Sequence, residues 1–467
     1  MVPKATSAES PPGNPDVRSG QMRVLSAALS AGLLAIGLVA ATSADPPASL
    51  AITGARLVTV SGSVIEKGNL IVRDSLIESL GADAKVPADA KVIEGAGLTV
   101  CPGFIDAGSE VLTPPSPEAA AAPPMGGGRR GAPAAAGPTT PPLSAHVRVW
   151  EQPLDFAARL DAVRTAGFTS VLALPGQGVI SGQSAVFNLG ADRDSSLLRP
   201  SVAMHTRLAG GGFRQYPGSL MGKIAFIRQS LLDARWHSES WDLYRSDPKG
   251  LSRPTASPAL DALRPVVDGV MPLVVPAATA EEVRRAGRLA AEFAIPWIVQ
   301  GGGEAHEALD VLRGGKTPVL LQVQFPERPR EVNPDDPDDL KIVERRVAAP
   351  RTAGKLAAGG VPFAFASAGQ SAPEFLRSIQ RCVTAGLPSD RALQSLTLGA
   401  ARILGVGAQV GSLEPGKIAN LVISQGDPLT AAGRIRHIVI DGKVYEPVVA
   451  PETRPMGGGR RPREEGN

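Results

Sequence analysis

The order of patterns along this chain constrains its fold most. Two β-rich ends enclose a middle in which strands and helices alternate. In residues 50–100, short apolar runs (Ala51-Ile52, Leu57-Val58-Thr59-Val60, Asn69-Leu70-Ile71-Val72, Leu76-Ile77, Lys91-Val92-Ile93) are broken by Gly54, Gly62, Gly68, Gly81 and Gly95. That spacing predicts a small sandwich rather than a helical bundle. The far end is written the same way: Asn420-Leu421-Val422-Ile423, Ile438-Val439-Ile440, a hairpin turn at Asp441-Gly442, then Val444-Tyr445. The expectation is one β-sandwich built from both ends of the chain, over 45–103 and 405–450.

The middle reads as repeated βα units. Thr169-Ser170-Val171-Leu172, Leu273-Val274-Val275, Trp297-Ile298-Val299, Val319-Leu320-Leu321 and Phe363-Ala364-Phe365 are strand-like. Between two of them, Thr279 precedes Glu282 as a capping box, and Val283, Ala286, Leu289, Ala290 and Phe293 follow at helical spacing until Pro296. Such units build a parallel sheet, and roughly 300 residues suit a (β/α)8 barrel. The predicted class is therefore α/β, a TIM-like barrel over 104–404 beside the small sandwich.

At 467 residues the chain has ample core for this. Forty-eight Lys and Arg against 45 Asp and Glu give no electrostatic case for a nucleic-acid partner. Two cysteines, Cys101 and Cys382, exclude a disulfide scaffold and a Cys-rich metal cluster. Residues 1–44 read as an address: Met22-Arg23, a long apolar run over 24–41, then Ala41-Thr42-Ser43-Ala44. One basic residue, an apolar stretch and small exit residues describe a signal peptide for export. The run is also marginally long enough to span a bilayer, so a membrane association follows if it is retained. Either Met1 or Met22 can be the start, and export would permit a Cys101–Cys382 disulfide.

Two segments stand apart. Residues 112–145 are dense in Pro, Ala and Gly, which predicts a disordered insertion. Its Pro124-Met125-Gly126-Gly127-Gly128-Arg129-Arg130 recurs as Pro455-Met456-Gly457-Gly458-Gly459-Arg460-Arg461 in the flexible tail, 451–467. The stretch Gly176-Gln177-Gly178-Val179-Ile180-Ser181-Gly182-Gln183-Ser184 reads as a tight βα loop at the barrel mouth, with anion cradling by its N–H groups as the alternative.

Four motifs carry a resemblance. They are Cys101-Pro102-Gly103-Phe104-Ile105-Asp106, Ala166-Gly167-Phe168-Thr169-Ser170-Val171, Ala400-Ala401-Arg402-Ile403-Leu404-Gly405, and Val410-Gly411-Ser412-Leu413-Glu414-Pro415-Gly416-Lys417-Ile418-Ala419-Asn420-Leu421-Val422. In this order they resemble the amidohydrolase superfamily, in particular its imidazolonepropionase-like branch. The resemblance implies a hydrolase barrel that cleaves non-peptide carbon–nitrogen bonds with water activated by zinc or a similar divalent metal.

The ligands that the resemblance implies are missing. His-x-His should follow the Gly-Phe-Ile-Asp motif, but Gly108 and Glu110 stand there. Gln300 occupies the place of a middle-strand histidine, and Ala368 that of the final aspartate. Glycine and alanine cannot ligate, and alanine cannot carry a proton. No metal cofactor is expected on this reading. The chain is then a degenerate member that binds a small amide-like or peptide-like ligand, or supports an active amidohydrolase relative. Its ligand-binding candidates are Asp106, Glu110, His205, Gln300, Glu304 and His306. The alternative is an active carbon–nitrogen hydrolase with an atypical metal site rebuilt from Glu110, His205, Glu304 and His306.

Overall fold

The described residues hold eighteen strands, most of them short, interleaved with eleven α-helices. A computed structural model describes residues 49–113, 142–156, 160–190, 193–209, 216–325, 339–430 and 432–448. The export segment, most of the 112–145 insertion and the tail lie outside these residues. At the insertion's edges, however, Leu112 and Ala145 are fully buried, so those ends belong to the core rather than to a loose loop. Among the described residues no helix is long and apolar enough to cross a membrane.

The strands are β1 (Leu50–Leu57), β2 (Ile65–Arg73), β3 (Leu76–Gly81), β4 (Lys91–Glu94), β5 (Thr99–Pro102), β6 (Phe104–Ser109), β7 (Phe168–Ala173), β8 (Ile180–Gln183) and β9 (Ala185–Asn188). They continue with β10 (Leu197–Arg199), β11 (Met204–Thr206), β12 (Leu273–Ala277), β13 (Trp297–Gly301), β14 (Val319–Gln322), β15 (Phe363–Ala366), β16 (Leu421–Gln425), β17 (Arg434–Ile440) and β18 (Lys443–Tyr445). The helices are α1 (Leu160–Thr165), α2 (Arg193–Ser196), α3 (Leu220–Ser246), α4 (Pro258–Val267), α5 (Ala280–Phe293) and α6 (Leu309–Gly314). After them come α7 (Leu340–Ala348), α8 (Thr352–Ala358), α9 (Ala372–Thr384), α10 (Ser389–Leu396) and α11 (Leu398–Ile403).

The two chain ends do join. Their strands form one continuous eight-stranded sheet, ordered β18-β17-β16-β5-β1-β2-β3 with β4 on β1, where a sandwich of two sheets was expected. The β5–β16 ladder (Val422 opposite Cys101, Ile423 opposite Val100) stitches the ends together. Asp441 and Gly442 both have φ above +50°, the geometry that lets a two-residue turn follow the strand twist between β17 and β18. Cys101 and Cys382 are both free thiols buried in the core, and burial pushes each thiol pKa up to about 12.

The middle is a barrel-like α/β wall. β6 and β7 are parallel, and β11 to β15 are parallel in chain order. The eighth stave departs from the expected pattern. Residues 180–188, expected to begin as a loop, form β8 and β9, antiparallel to β11 and β7 respectively. Only residues 174–179 separate β7 from β8, too few for a helical crossover, so the chain must turn straight back. Gly182 is required here: at φ +117° it lets the backbone pass so close to Val147 that a β-carbon would lie 2.3 Å from its carbonyl oxygen.

Alternate residues point into the barrel. Ile105, Leu172, Val186, Val274, Ile298, Leu320 and Ala364 fill its lumen, with α11 plugging the end where the strands begin. The other faces pack the helices. Phe168 stacks on Phe375 of α9 at 5.2 Å, with Phe104 edge-on to Phe168 at 5.8 Å. Each such buried ring contributes about 2–3 kcal/mol of apolar burial. The capping box of α5 is present: Thr279 Oγ1 accepts from Glu282 N at 3.3 Å, and Glu282 Oε2 accepts from Thr279 N at 3.1 Å.

Candidate functional site

The strand ends of the barrel place the candidate residues at its C-terminal mouth. β6 and β15 stand side by side there. Asp106 is buried, and its Oδ1 accepts from the backbone N–H of Ser367 at 2.9 Å and of Gly108 at 3.1 Å. Burial pushes the Asp106 carboxyl pKa up, and hydrogen bonds from Ser367, Ser109 and Gly108 oppose that rise. One residue further on, Ala368 N donates to the Gly108 carbonyl at 3.1 Å. A β-carbon on Gly108 would lie 3.0 Å from Ala366 Cβ. Asp106 is thus a clasp between two strands, and Gly108 and Ala368 close the seam with backbone alone.

His205 and Gln300 do come together. His205 lies on β11, 3% exposed, in register with Val274 and so facing the lumen. Its Nε2 is 2.9 Å from Ser184 Oγ, at the kink between β8 and β9. Burial lowers the imidazole pKa to about 3, and a hydrogen bond with the Gln300 side chain only partly offsets this. The ring is therefore neutral at physiological pH. Gln322 shares the lumen face of β14 with Leu320, opposite Ala366, so a second amide faces the mouth.

The other candidates are held elsewhere. Glu110 is exposed beside Gly369. Glu304 pairs with Arg345 at 3.4 Å. His306 Nδ1 lies 3.2 Å from Thr352 Oγ1, which itself donates to the Gly303 carbonyl at 2.8 Å. The four residues of the rebuilt metal site do not converge. Among the described residues, no three His, Cys, Asp or Glu side chains gather around one point. The remaining histidines are structural or peripheral: His237 bonds Asp261 at 3.0 Å, His437 bonds Glu446 at 3.0 Å, and His146 is exposed.

Sequence reasoning passed over Ser367 and Gln322. The i, i+2 alternation with Leu320 was the available signal for Gln322. Ser367 had none, because its partner Asp106 is 261 residues away.

The sequence profile described as "Amidohydrolase family" matches residues 259–445. An amidohydrolase from Thermotoga maritima MSB8 superimposes with a TM-score of 0.69 at 21% identity, over 85% of this chain and 100% of that one. Over residues 259–445 the chain is similar to the amidohydrolase family, and the Thermotoga maritima structure shows that it shares that protein's fold. A Xaa-Pro dipeptidase with methionine bound in its active site is a more distant neighbour, with a TM-score of 0.51 at 17% identity over 85% of this chain and 100% of that one. A dihydroorotase from Geotalea daltonii is 46% identical over 55 residues, 12% of this chain and 13% of that enzyme. The match therefore spans about an eighth of that relative.

A divalent metal is what the superfamily resemblance implies, and the residues present do not fit one. Two of the four positions at which the resemblance implies ligands, Gly108 and Ala368, have no side-chain donor atom. The third, Gln300, is a neutral amide whose side chain bonds His205. The fourth, Glu110, stands exposed, and among the described residues it belongs to no group of three His, Cys, Asp or Glu side chains. Metal ions of this class need several anionic or imidazole ligands at one point.

Proposed function

We propose that this chain keeps the superfamily's barrel as a binding scaffold and does not carry out metal-assisted hydrolysis. The observation that carries the reading is the Gly108–Ala368 seam. The two positions where the first and last ligands would stand have no side-chain donors and bond each other through the backbone. His205, neutral and tied to Ser184, adds a lumen-facing imidazole that is a weak base.

The ligand this mouth suits is small and amide-like or peptide-like. Gln300 and Gln322 present amides, each able to donate and to accept, which complements another amide without requiring charge. Pairing with an active amidohydrolase relative is compatible with the same scaffold. Export by residues 24–41 completes the proposal, and N-terminal sequencing of the protein from the exported fraction tests it. A cytoplasmic protein that retains those residues contradicts it.

The decisive experiment is elemental analysis of the purified protein, with thermal melts before and after chelator. The reading expects no stoichiometric zinc and an unchanged melting temperature. One or two tightly bound equivalents, with a melting temperature that falls on chelation, would establish the alternative of an atypical metal hydrolase. For the ligand, calorimetric titration with 2-pyrrolidinone should give binding that Gln300→Ala weakens.

A further inference from the structure

The end of the barrel opposite the mouth carries an open groove of about 620 Å³, bounded by α5, α6 and the strand starts of β12, β13 and β14. Its walls are apolar and small: Ala290, Ala291, Ile295, Val311 and the paired prolines Pro296 and Pro318. Glycines make room for its floor. A β-carbon on Gly287 would lie 2.6 Å from Val311 and 3.4 Å from the Trp297 ring.

Hydrogen-bond accounting singles out one group. The prolines before the strands bring no N–H. The backbone N–H groups of Ala294, Ile295, Gly315, Lys316 and Thr317 all donate to carbonyls of their own helix ends. Trp297 is 8% exposed and lines the groove, yet its indole N–H meets no acceptor among the described residues. Thr317 Oγ1, fully buried, also lacks a partner. Both lie near Gly315, where a β-carbon would meet Thr317 Oγ1 at 2.8 Å, the Val311 carbonyl oxygen at 3.5 Å and Trp297 Nε1 at 3.8 Å, so the space beside the glycine is tight and the groove is reached from the Trp297 side. Thr317 Oγ1 is sealed in the wall, whereas the Trp297 indole N–H reaches the groove, where a ligand oxygen takes the place of water as its acceptor.

We infer that this groove is a second small-molecule site, which takes an uncharged, largely apolar molecule bearing a carbonyl oxygen that accepts from Trp297 Nε1. The surrounding field selects against an anion. Asp310 stands at the rim, and α5 and α6 direct their carbonyl ends toward the groove, which offsets the Lys316 ammonium. The site lies on the opposite face from the mouth and does not depend on the function proposed for it.

The test is a ligand-observed NMR titration of the full chain with three probes: cyclohexanone, methylcyclohexane and hexanoate. Trp297→Phe removes the N–H and keeps an aromatic ring. Cyclohexanone affinity should fall about tenfold in this variant while methylcyclohexane is unchanged, since one hydrogen bond is at stake. Ala291→Phe, at an exposed wall position that tolerates a larger side chain, should abolish binding of both. Hexanoate should bind more weakly than cyclohexanone. Equal losses of ketone and hydrocarbon in Trp297→Phe, no loss of either, binding that survives Ala291→Phe, or tighter binding of hexanoate would each overturn the proposal.

Discussion

The carboxylate of Asp106 accepts a hydrogen bond from the backbone N–H of Ser367 at 2.9 Å, joining strands 261 residues apart in sequence. The same oxygen holds Gly108 N at 3.1 Å. Together with the bond from Ala368 N to the Gly108 carbonyl, this side chain sets where β6 meets β15 at the barrel mouth.

Removing that clasp should be expensive. Asp106→Ala leaves at least two buried N–H groups without an acceptor and opens a small void, so a loss of about 3 kcal/mol is expected. Asp106→Asn keeps one acceptor oxygen and should lose less than half as much. Urea unfolding of the two variants beside the parent measures both. Equal stability of Asp106→Ala and the parent would remove Asp106 from this role.

His205 should make the fold acid-sensitive. Its folded pKa, about 3, lies below the unfolded value near 6.5, so the unfolded state binds the extra proton. This contribution is complete above pH 6.5 and is lost as pH falls toward 3. Between pH 6.5 and 4.5 it amounts to about 2–3 kcal/mol. Denaturant midpoints at the two pH values should converge by that amount in His205→Gln relative to the parent. Identical pH profiles for parent and variant would refute the assignment.

Gly108 should resist restoration of a ligand. A β-carbon at 3.0 Å from Ala366 Cβ is too close, so Gly108→His is expected to lose about 1–3 kcal/mol through overpacking. Ala366→Gly in the same chain should recover part of the loss. A double-mutant cycle on melting temperature reads the coupling, and purely additive effects would show that the two sites do not compete for space.

Ala368 holds φ +50°, a left-handed conformation that alanine adopts at a cost. Ala368→Gly should therefore stabilise the protein by about 0.5–1 kcal/mol, despite the added freedom of the unfolded chain. A lower melting temperature would mean that the methyl group packs more favourably than its backbone angle suggests.

Much of this architecture was legible in the residues. Glycine-punctuated apolar runs at both ends gave strands that share a sheet, since Asn420-Leu421-Val422-Ile423 carries the apolar pattern that lets β16 pair with β5. Thr279 and Glu282 wrote the start of α5, and the strand-like runs 273–275, 297–299, 319–321 and 363–365 each became a parallel stave. The antiparallel stave 180–188 was not legible. Its glycines and serines read as a loop, and only packing against Val147 and β11 makes them strand.

The sequence by itself determined what individual positions can bring to a site. Gly108 and Ala368 have no donors in any fold, and local patterns that repeat every two or 3.6 residues are fixed by covalent geometry. Tertiary structure alone decided which groups meet. It set His205 against Ser184 and Gln300, sent His306 to Thr352 and Glu304 to Arg345, and left the Trp297 N–H facing a groove. These pairings join residues 21 to 95 positions apart, whose separation in space is set by barrel register and helix packing rather than by any spacing along the chain.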